Sequence, residues 1–319
     1  MFLFDWLMQR IIPIIFVQLR PFIKWFLHTF TRLCELQRIV YGAQAGASRT
    51  RQVERSLMLS QNCEIQQLVK ELDTTVECCG EEELRLIPQR TINVVQNAKH
   101  IKAKIHPDFA SLFGTCVLQI WSYRHLLHQV ERLRAELYDA NNLDHEQKLL
   151  ELWNRLMPEE PLDGRITKQW QDIGFQGDDP KTDFRGMGIL GLENLLYFSR
   201  EYRDAAHHVL LHSKHPVYGY TFAIVGINLT AMAYRLLKSG DAKVHFYNAA
   251  QSLNQALSLA HFHKFYCYLL FEFDRFWMES GPTNIMDFRE IYQRFEILIL
   301  EALHNDKTLF KTNLVVEYV

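Results

Sequence analysis

The sequence predicts an all-α fold, and two observations carry that prediction. Apolar residues recur every three or four positions through most of the chain, whereas the alternating pattern of a half-buried strand is scarce. A parallel sheet has nothing to be made from. With 319 residues, 48% hydrophobic and 23% charged, the chain can bury a sizeable core and has the balance of an ordinary folded protein.

Residues 1–41 differ from the rest. Phe2, Phe4, Trp6, Leu7, Ile11, Ile12, Ile14, Ile15, Phe16, Val17, Phe22, Trp25, Phe26 and Phe30 crowd one stretch, with Arg10, Arg20, Lys24, Arg32 and Arg38 against only Asp5 and Glu35. No uninterrupted apolar run reaches the roughly 20 residues of a spanning helix. The acid at Asp5 and the lack of a basic start or a small-residue cleavage site speak against a signal peptide. Two readings stay open: a segment lying on an anionic membrane surface, and a helix packed on the domain. An imperfect span is a third.

Further on, Leu112, Phe113, Cys116, Val117, Ile120, Trp121, Leu126, Leu127, Val130, Leu133 and Leu137 step by three and four, predicting an amphipathic helix between about Asp108 and Asp139. Asp144 and Gln147 read as a capping box opening a helix with Leu149, Leu152, Trp153 and Leu156 on its inner face, ended by Pro158 and Pro161. Helical patterns follow over roughly 188–200, 216–238, 247–278 and 285–304. Residues 216–234 carry no charge over 19 positions, but Asn228, two threonines, three tyrosines and two glycines make them a buried core helix rather than a span. The aromatic run Phe262, Phe265, Tyr266, Leu269, Phe273 and Trp277 has the spacing of a helix core. Between helices, residues 174–186 hold three glycines, a proline and three aspartates, and read as a functional loop.

Several chemistries are disfavoured. A net charge of −2 argues against nucleic acid as a partner. Six scattered cysteines with no CxxC knuckle predict reduced thiols in a cytosolic compartment. Gly186-Met187-Gly188-Ile189-Leu190-Gly191 matches G-x-G-x-x-G, yet no apolar strand precedes it, so nucleotide binding is not expected. His208 and His212 share a helical face, but with no HExxH glutamate and no adjacent acid pattern to complete a ligand set, no metal site is predicted; His261 and His263 are weaker still. There is no G-x-S-x-G elbow and no activated cysteine.

That leaves Arg185. Beside Asp178, Asp179 and Asp183 it reads, on spacing alone, as half of a loop-bracing ion pair. Chemistry offers a second reading, a planar and permanently charged guanidinium on a turn-anchored loop that reaches into another protein to meet phosphoryl oxygens.

The residues around it form a longer pattern: Trp170, then Gly174-Phe175-Gln176, Pro180, Thr182-Asp183-Phe184-Arg185-Gly186, and Gly188 to Gly191-Leu192, running on to Asn194, Leu195, Tyr197 and Phe198. So many residue types at fixed spacing resemble the ELMO-domain-containing (ELMOD) family. Leu152-Trp153, Leu156, Pro158, Arg165 and Gln169 are similar to the approach to that motif, and the aromatic-rich start leading into Cys34-Glu35-Leu36-Gln37-Arg38 is similar to the short members. The resemblance implies a multi-helical ELMO domain over residues 145–307 with a helical N-terminal extension: residues 1–45 as the apolar, basic segment, 46–144 packing on the domain, and 308–319 as a tail. It further implies a GTPase-activating protein for Arf and Arf-like small GTPases, with Arg185 as the essential residue inserted into the partner. The chain would bind no cofactor or metal, GTP and Mg2+ being carried by the partner. Larger ELMO scaffolds, which work with DOCK-type exchange factors for Rac, share the domain but lack the motif arginine. A non-catalytic scaffold that binds GTPases or membrane partners is therefore the alternative. Among supporting residues, Asp183 is expected to brace the loop or orient Arg185, Thr182 and Gln176 to bond backbone groups, Gly174, Gly186 and Gly188 to supply turns, and Trp170 and Phe184 to anchor the loop in the core. The expected location is cytoplasmic and peripheral on an intracellular membrane. Neither the preferred GTPase nor the membrane is written in the sequence.

Overall fold

A computed structural model describes residues 19, 22–23, 25–27, 29–253 and 255–315, and among these there is no strand. The N-terminal part contributes α1 (Glu35–Gly42), α2 (Ala47–Met58), α3 (Cys63–Cys78), α4 (Glu81–Ala98) and α5 (Phe109–Ala135). The rest contributes α6 (Leu143–Leu156), α7 (Gly188–Glu201), α8 (Arg203–Ser213), α9 (Phe222–Ser239), α10 (Lys243–Leu253), α11 (Leu259–Ser280) and α12 (Phe288–Leu303).

The 27-residue α5 runs through the centre, with α1 to α4 packed on it from one part of the chain and α7, α10 and α11 from the other. Surrounded in this way, it buries more than the stripe its sequence shows: Gln119, Ser122 and His125 are inside as well. Each of these three has a partner, Ser122 through its hydroxyl on the Gln119 carbonyl at 3.3 Å. Gln119 accepts from the Thr50 hydroxyl and donates to Gln251 Oε1 at 3.2 Å, and His125 Nδ1 lies 3.0 Å from the Val76 carbonyl. Glu54 on α2 is equally inside, where Lys243 Nζ at 2.7 Å and the Tyr247 hydroxyl at 3.0 Å meet its two oxygens from α10. A buried charge left without such partners would be costly. The pair ties the N-terminal helices to the C-terminal half.

The helix bounds differ from expectation in places that have physical causes. The helix expected to reach Asp139 ends at Ala135, because Glu136 turns extended so that its carbonyl can accept the Ile189 N–H at 2.8 Å. Leu137 is thereby left outside, 66% exposed. The cap of α6 is Asn142 rather than Asp144: its side-chain oxygen accepts the Asp144 N–H at 3.0 Å, which places Asp144 in the first turn, where negative charge suits the helix dipole. The stretch 247–278 is two helices, since Ser258 and His261 form a cap that starts α11 afresh. α8 is a separate helix lying between the helices expected over 188–200 and 216–238.

Of residues 216–234, those from Phe222 on form the buried helix α9, whereas 216–221 precede it as turn and irregular chain with Val217 57% exposed; among the described residues no helix is long and apolar enough to cross a membrane. Phe262, Phe265, Tyr266, Leu269, Phe273 and Trp277 line the core face of α11. His263 joins them inside, its pKa pushed down to about 4 by burial, so it is neutral. As Asn194 donates its amide to Thr230 Oγ1 at 3.0 Å, its carbonyl oxygen accepts from His263 Nδ1 at 2.6 Å, a network joining α7, α9 and α11. All six cysteines are free thiols.

In the N-terminal segment, residues 1–18 lie outside the described residues. Phe22, Trp25 and Phe30 are helical and 61%, 62% and 75% exposed, so the reading of a helix packed on the domain does not hold for the described residues between 22 and 30, whereas it does hold from Leu36 on, where Leu36 and Val40 of α1 are buried against the domain.

Candidate functional site

Between α6 and α7 the chain folds into two 3-10 turns, Lys168–Ile173 and Pro180–Arg185. The second begins as its residues dictate. Asp179 caps it by accepting the Lys181 N–H at 3.0 Å, and Pro180 sits at the first position, where its missing N–H costs nothing. The expected loop over residues 174–186 is thus partly helical, and Arg185 occupies the last position of a short rigid turn packed on α7 and α9.

A continuous row of aromatic rings holds this turn. Trp153 meets Trp170 edge-on at 5.5 Å between ring centroids, Trp170 meets Phe175 at 5.9 Å, Phe175 meets Phe184 at 5.6 Å, and Phe184 stacks on Tyr138 at 5.4 Å. Trp170 and Phe184 are buried, and the Trp170 indole donates to the Arg165 carbonyl at 3.0 Å. Both are anchors in the core. The main chain is closed by the Thr167 N–H on the Asp178 carbonyl at 3.0 Å and by the Gln169 amide on the Pro161 carbonyl at 3.0 Å.

Arg165 supplies the bracing charge. Its guanidinium pairs with Glu146, lies 3.0 Å from Asp179 Oδ1 and covers the Tyr138 ring at 5.8 Å. Burial alone would push the Asp179 carboxyl up, but the Lys181 N–H and Arg165 outweigh it and hold it below the usual aspartate range. Asp183 braces the loop too, through Oδ2, which accepts the Gln176 N–H at 3.0 Å. In Gln176 the backbone makes this bond while the residue is exposed; Thr182 Oγ1 reaches the Asp179 carbonyl at 3.4 Å.

Arg185 is therefore not the loop-bracing arginine. It is exposed, its Nε donates to the Thr182 carbonyl at 2.9 Å, and among the described residues it forms no ion pair. One bond from Nε fixes the root of the guanidinium and leaves the terminal nitrogens facing solvent.

Glycines allow two close approaches. Gly174, at φ +84°, lies against the start of α9, where an added Cβ would stand 2.2 Å from the Phe222 nitrogen. Gly188, at φ +54°, faces the carbonyl oxygens of Arg134 and Glu136, each 2.4 Å from such a Cβ. Gly186 departs from expectation: at φ −82° with open space around it, it caps the turn without needing glycine. Gly191 and Leu192 are buried in α7, with Gly191 leaving room for the Phe184 ring.

One cluster runs against expectation. His208 and His212 do acquire an acid, Asp274, brought over from α11, and the ligand atoms of the three lie within 4.8 Å of one another. The adjacent sequence held no sign of it because the acid is 62 residues further along the chain.

Residues 128–292 match the ELMO/CED-12 family. The chain is 46% identical to ELMO domain-containing protein 2 of Mus musculus over 276 residues, which is 86% of this chain and 89% of that protein. It is 43% identical to ELMO domain-containing protein 1 of Mus musculus over 299 residues, covering 88% and 87% respectively. ELMO domain-containing protein B of Dictyostelium discoideum is 32% identical over 277 residues, covering 86% and 92%. No solved structure matches the chain.

Proposed function

The chain belongs to the ELMO/CED-12 family, and on that premise we propose that it is a GTPase-activating protein for small GTPases of the Arf and Arf-like class, with Arg185 as its catalytic residue. The observation that carries this reading is an exposed arginine, free of ion pairs among the described residues, at the end of a turn that Pro180 and Phe184 anchor in the core. A guanidinium kept clear of carboxylates on its own chain keeps its charge for another molecule, and a rigid mounting lowers the entropy lost when it is inserted.

In the proposed mechanism the GTP-loaded partner supplies Mg2+, the phosphate-binding lysine and the attacking water, and this chain supplies positive charge. Arg185 approaches the bridging and γ-phosphate oxygens, where negative charge accumulates in the transition state. Charge placed there lowers the barrier more than it stabilises bound GTP. Arginines working in this way contribute about 10³- to 10⁵-fold in rate, or roughly 4–7 kcal/mol. Leu137 and Ile166, 66% and 69% exposed, stand on segments bonded directly to the site through Glu136 and Thr167, and supply apolar surface for a docked globular partner. The exposed aromatics of residues 22–30 support a location at the cytosolic face of an intracellular membrane.

A trapping experiment tests the assignment. Arf and Arf-like GTPases loaded with GDP and aluminium fluoride, which mimics the transferring phosphoryl group, should co-elute with this protein more tightly than the same GTPases loaded with a non-hydrolysable GTP analogue. Arg185→Lys should abolish that difference. Equal retention of both forms, unchanged by the substitution, would assign the chain to the scaffold class instead.

A further inference from the structure

We propose that His208, His212 and Asp274 form a binding site for a divalent transition metal, zinc by preference, that pins α8 to α11. His208 and His212 lie one turn apart on α8, so both imidazoles project from the same face, with ring centroids 4.0 Å apart. Asp274 projects from α11 and is buried, with Oδ2 at 2.8 Å from His212 Nδ1. The three residues offer their ligand atoms within 4.8 Å of one another. Tetrahedral coordination at ordinary zinc bond lengths spaces its ligands by about 3.4 Å, within reach of small rotations of these side chains.

The surroundings are those of a prepared ligand set. The second carboxylate oxygen of Asp274 accepts the Tyr220 hydroxyl at 2.6 Å, an outer contact that fixes the carboxylate and leaves Oδ2 to face the imidazoles. Tyr220 is itself tied to α8 by its N–H on the Ser213 carbonyl at 2.9 Å. His208 has no hydrogen-bond partner among the described residues, and its ring lies against those of His212 and Phe271, which leaves its nitrogens available. Both imidazoles are half-exposed, so an ion reaches them from solvent and a water completes its shell.

Two imidazoles and one carboxylate select the ion. Calcium and magnesium favour all-oxygen sites, whereas zinc, cobalt and nickel take imidazole nitrogen readily. On binding, the ion takes the place of the proton now shared between His212 and Asp274, and that proton leaves to solvent.

The full-length protein, stripped with a chelator and then dialysed, is titrated with zinc in competition with a chromogenic chelator, and separately with cobalt. The expected result is one equivalent of zinc bound, and a cobalt complex with the visible absorption of a tetrahedral site and no thiolate charge-transfer band. His208→Phe, which breaks no hydrogen bond, should weaken zinc binding about 100-fold or more, and Tyr220→Phe about 10-fold. Unchanged circular dichroism would show that both variants fold. Cys63→Ser combined with Cys78→Ser, removing the two exposed thiols, should bind as the parent does. No stoichiometric binding would overturn the proposal. So would a thiolate band lost in the cysteine variant, or zinc retained at full affinity by His208→Phe.

Discussion

Phe184 adjoins Arg185 in sequence and does the opposite work, so its truncation tests whether the aromatic row holds the turn. The ring is 1% exposed, stacks on Tyr138 at 5.4 Å, meets Phe175 at 5.6 Å and fills the space left by Gly191. Phe184→Ala removes it and leaves a cavity between those neighbours, a change that costs about 3–5 kcal/mol in a packed core. At about 2–4 °C per kcal/mol for a chain of this class, the melting midpoint should fall by about 6–20 °C. Urea titration read by tryptophan fluorescence gives the stability, and hydrogen exchange over residues 174–186 shows whether the loss is local. A double cycle with Tyr138→Leu should return a coupling of about 0.5–1.5 kcal/mol for the stacked pair. An unchanged midpoint with unchanged exchange in the loop would refute the anchoring role.

Gly188→Ala must either strain a left-handed residue or push back two carbonyl oxygens, and should cost about 2 kcal/mol in denaturant titration. Gly186→Ala, at φ −82° in open space, should stay within about 0.5 kcal/mol of the parent. Hydrogen bonds from Arg200 and then Arg155 hold the Glu151 carboxyl at about 2, below its ordinary value. Its contribution is therefore complete above pH about 4.5 and is lost as pH falls through about 2. With these partners near the surface it amounts to about 1 kcal/mol, so Glu151→Gln should lower stability at pH 7 and flatten the acid limb. Liposome flotation with anionic lipid should recover the full chain, and recovery should drop when Phe22, Trp25, Phe26 and Phe30 are all replaced by serine; equal flotation would remove the membrane assignment.

Local signals carried further in this sequence than long-range ones. The periodicity at Phe113, Val117, Ile120 and Trp121 identifies the central helix, and Pro180 after Asp179 marks the start of a turn, because both depend on residues within one helical turn of each other. What the end of α5 does depends on Ile189, more than fifty residues away, whose N–H draws the Glu136 carbonyl out of the helix. Spacing alone favoured Arg185 as the bracing cation because the three aspartates are its neighbours in sequence. Arg165 fills that role instead, reaching Glu146 and Asp179 from the far side of the loop. The motif resemblance named the family, and the matches over most of the chain agree with it. Asp274 had no local signal at all, since only the packing of α11 on α8 carries it to His212.

The most direct test of the central claim is single-turnover hydrolysis of GTP bound to a panel of Arf and Arf-like GTPases, with this protein, its Arg185→Lys variant, or neither added. The account predicts acceleration for at least one member, and loss of at least 10³-fold of that acceleration in a variant whose circular dichroism and binding to the GTP-loaded partner are intact. Acceleration that survives in Arg185→Lys, or none with any member, would contradict it.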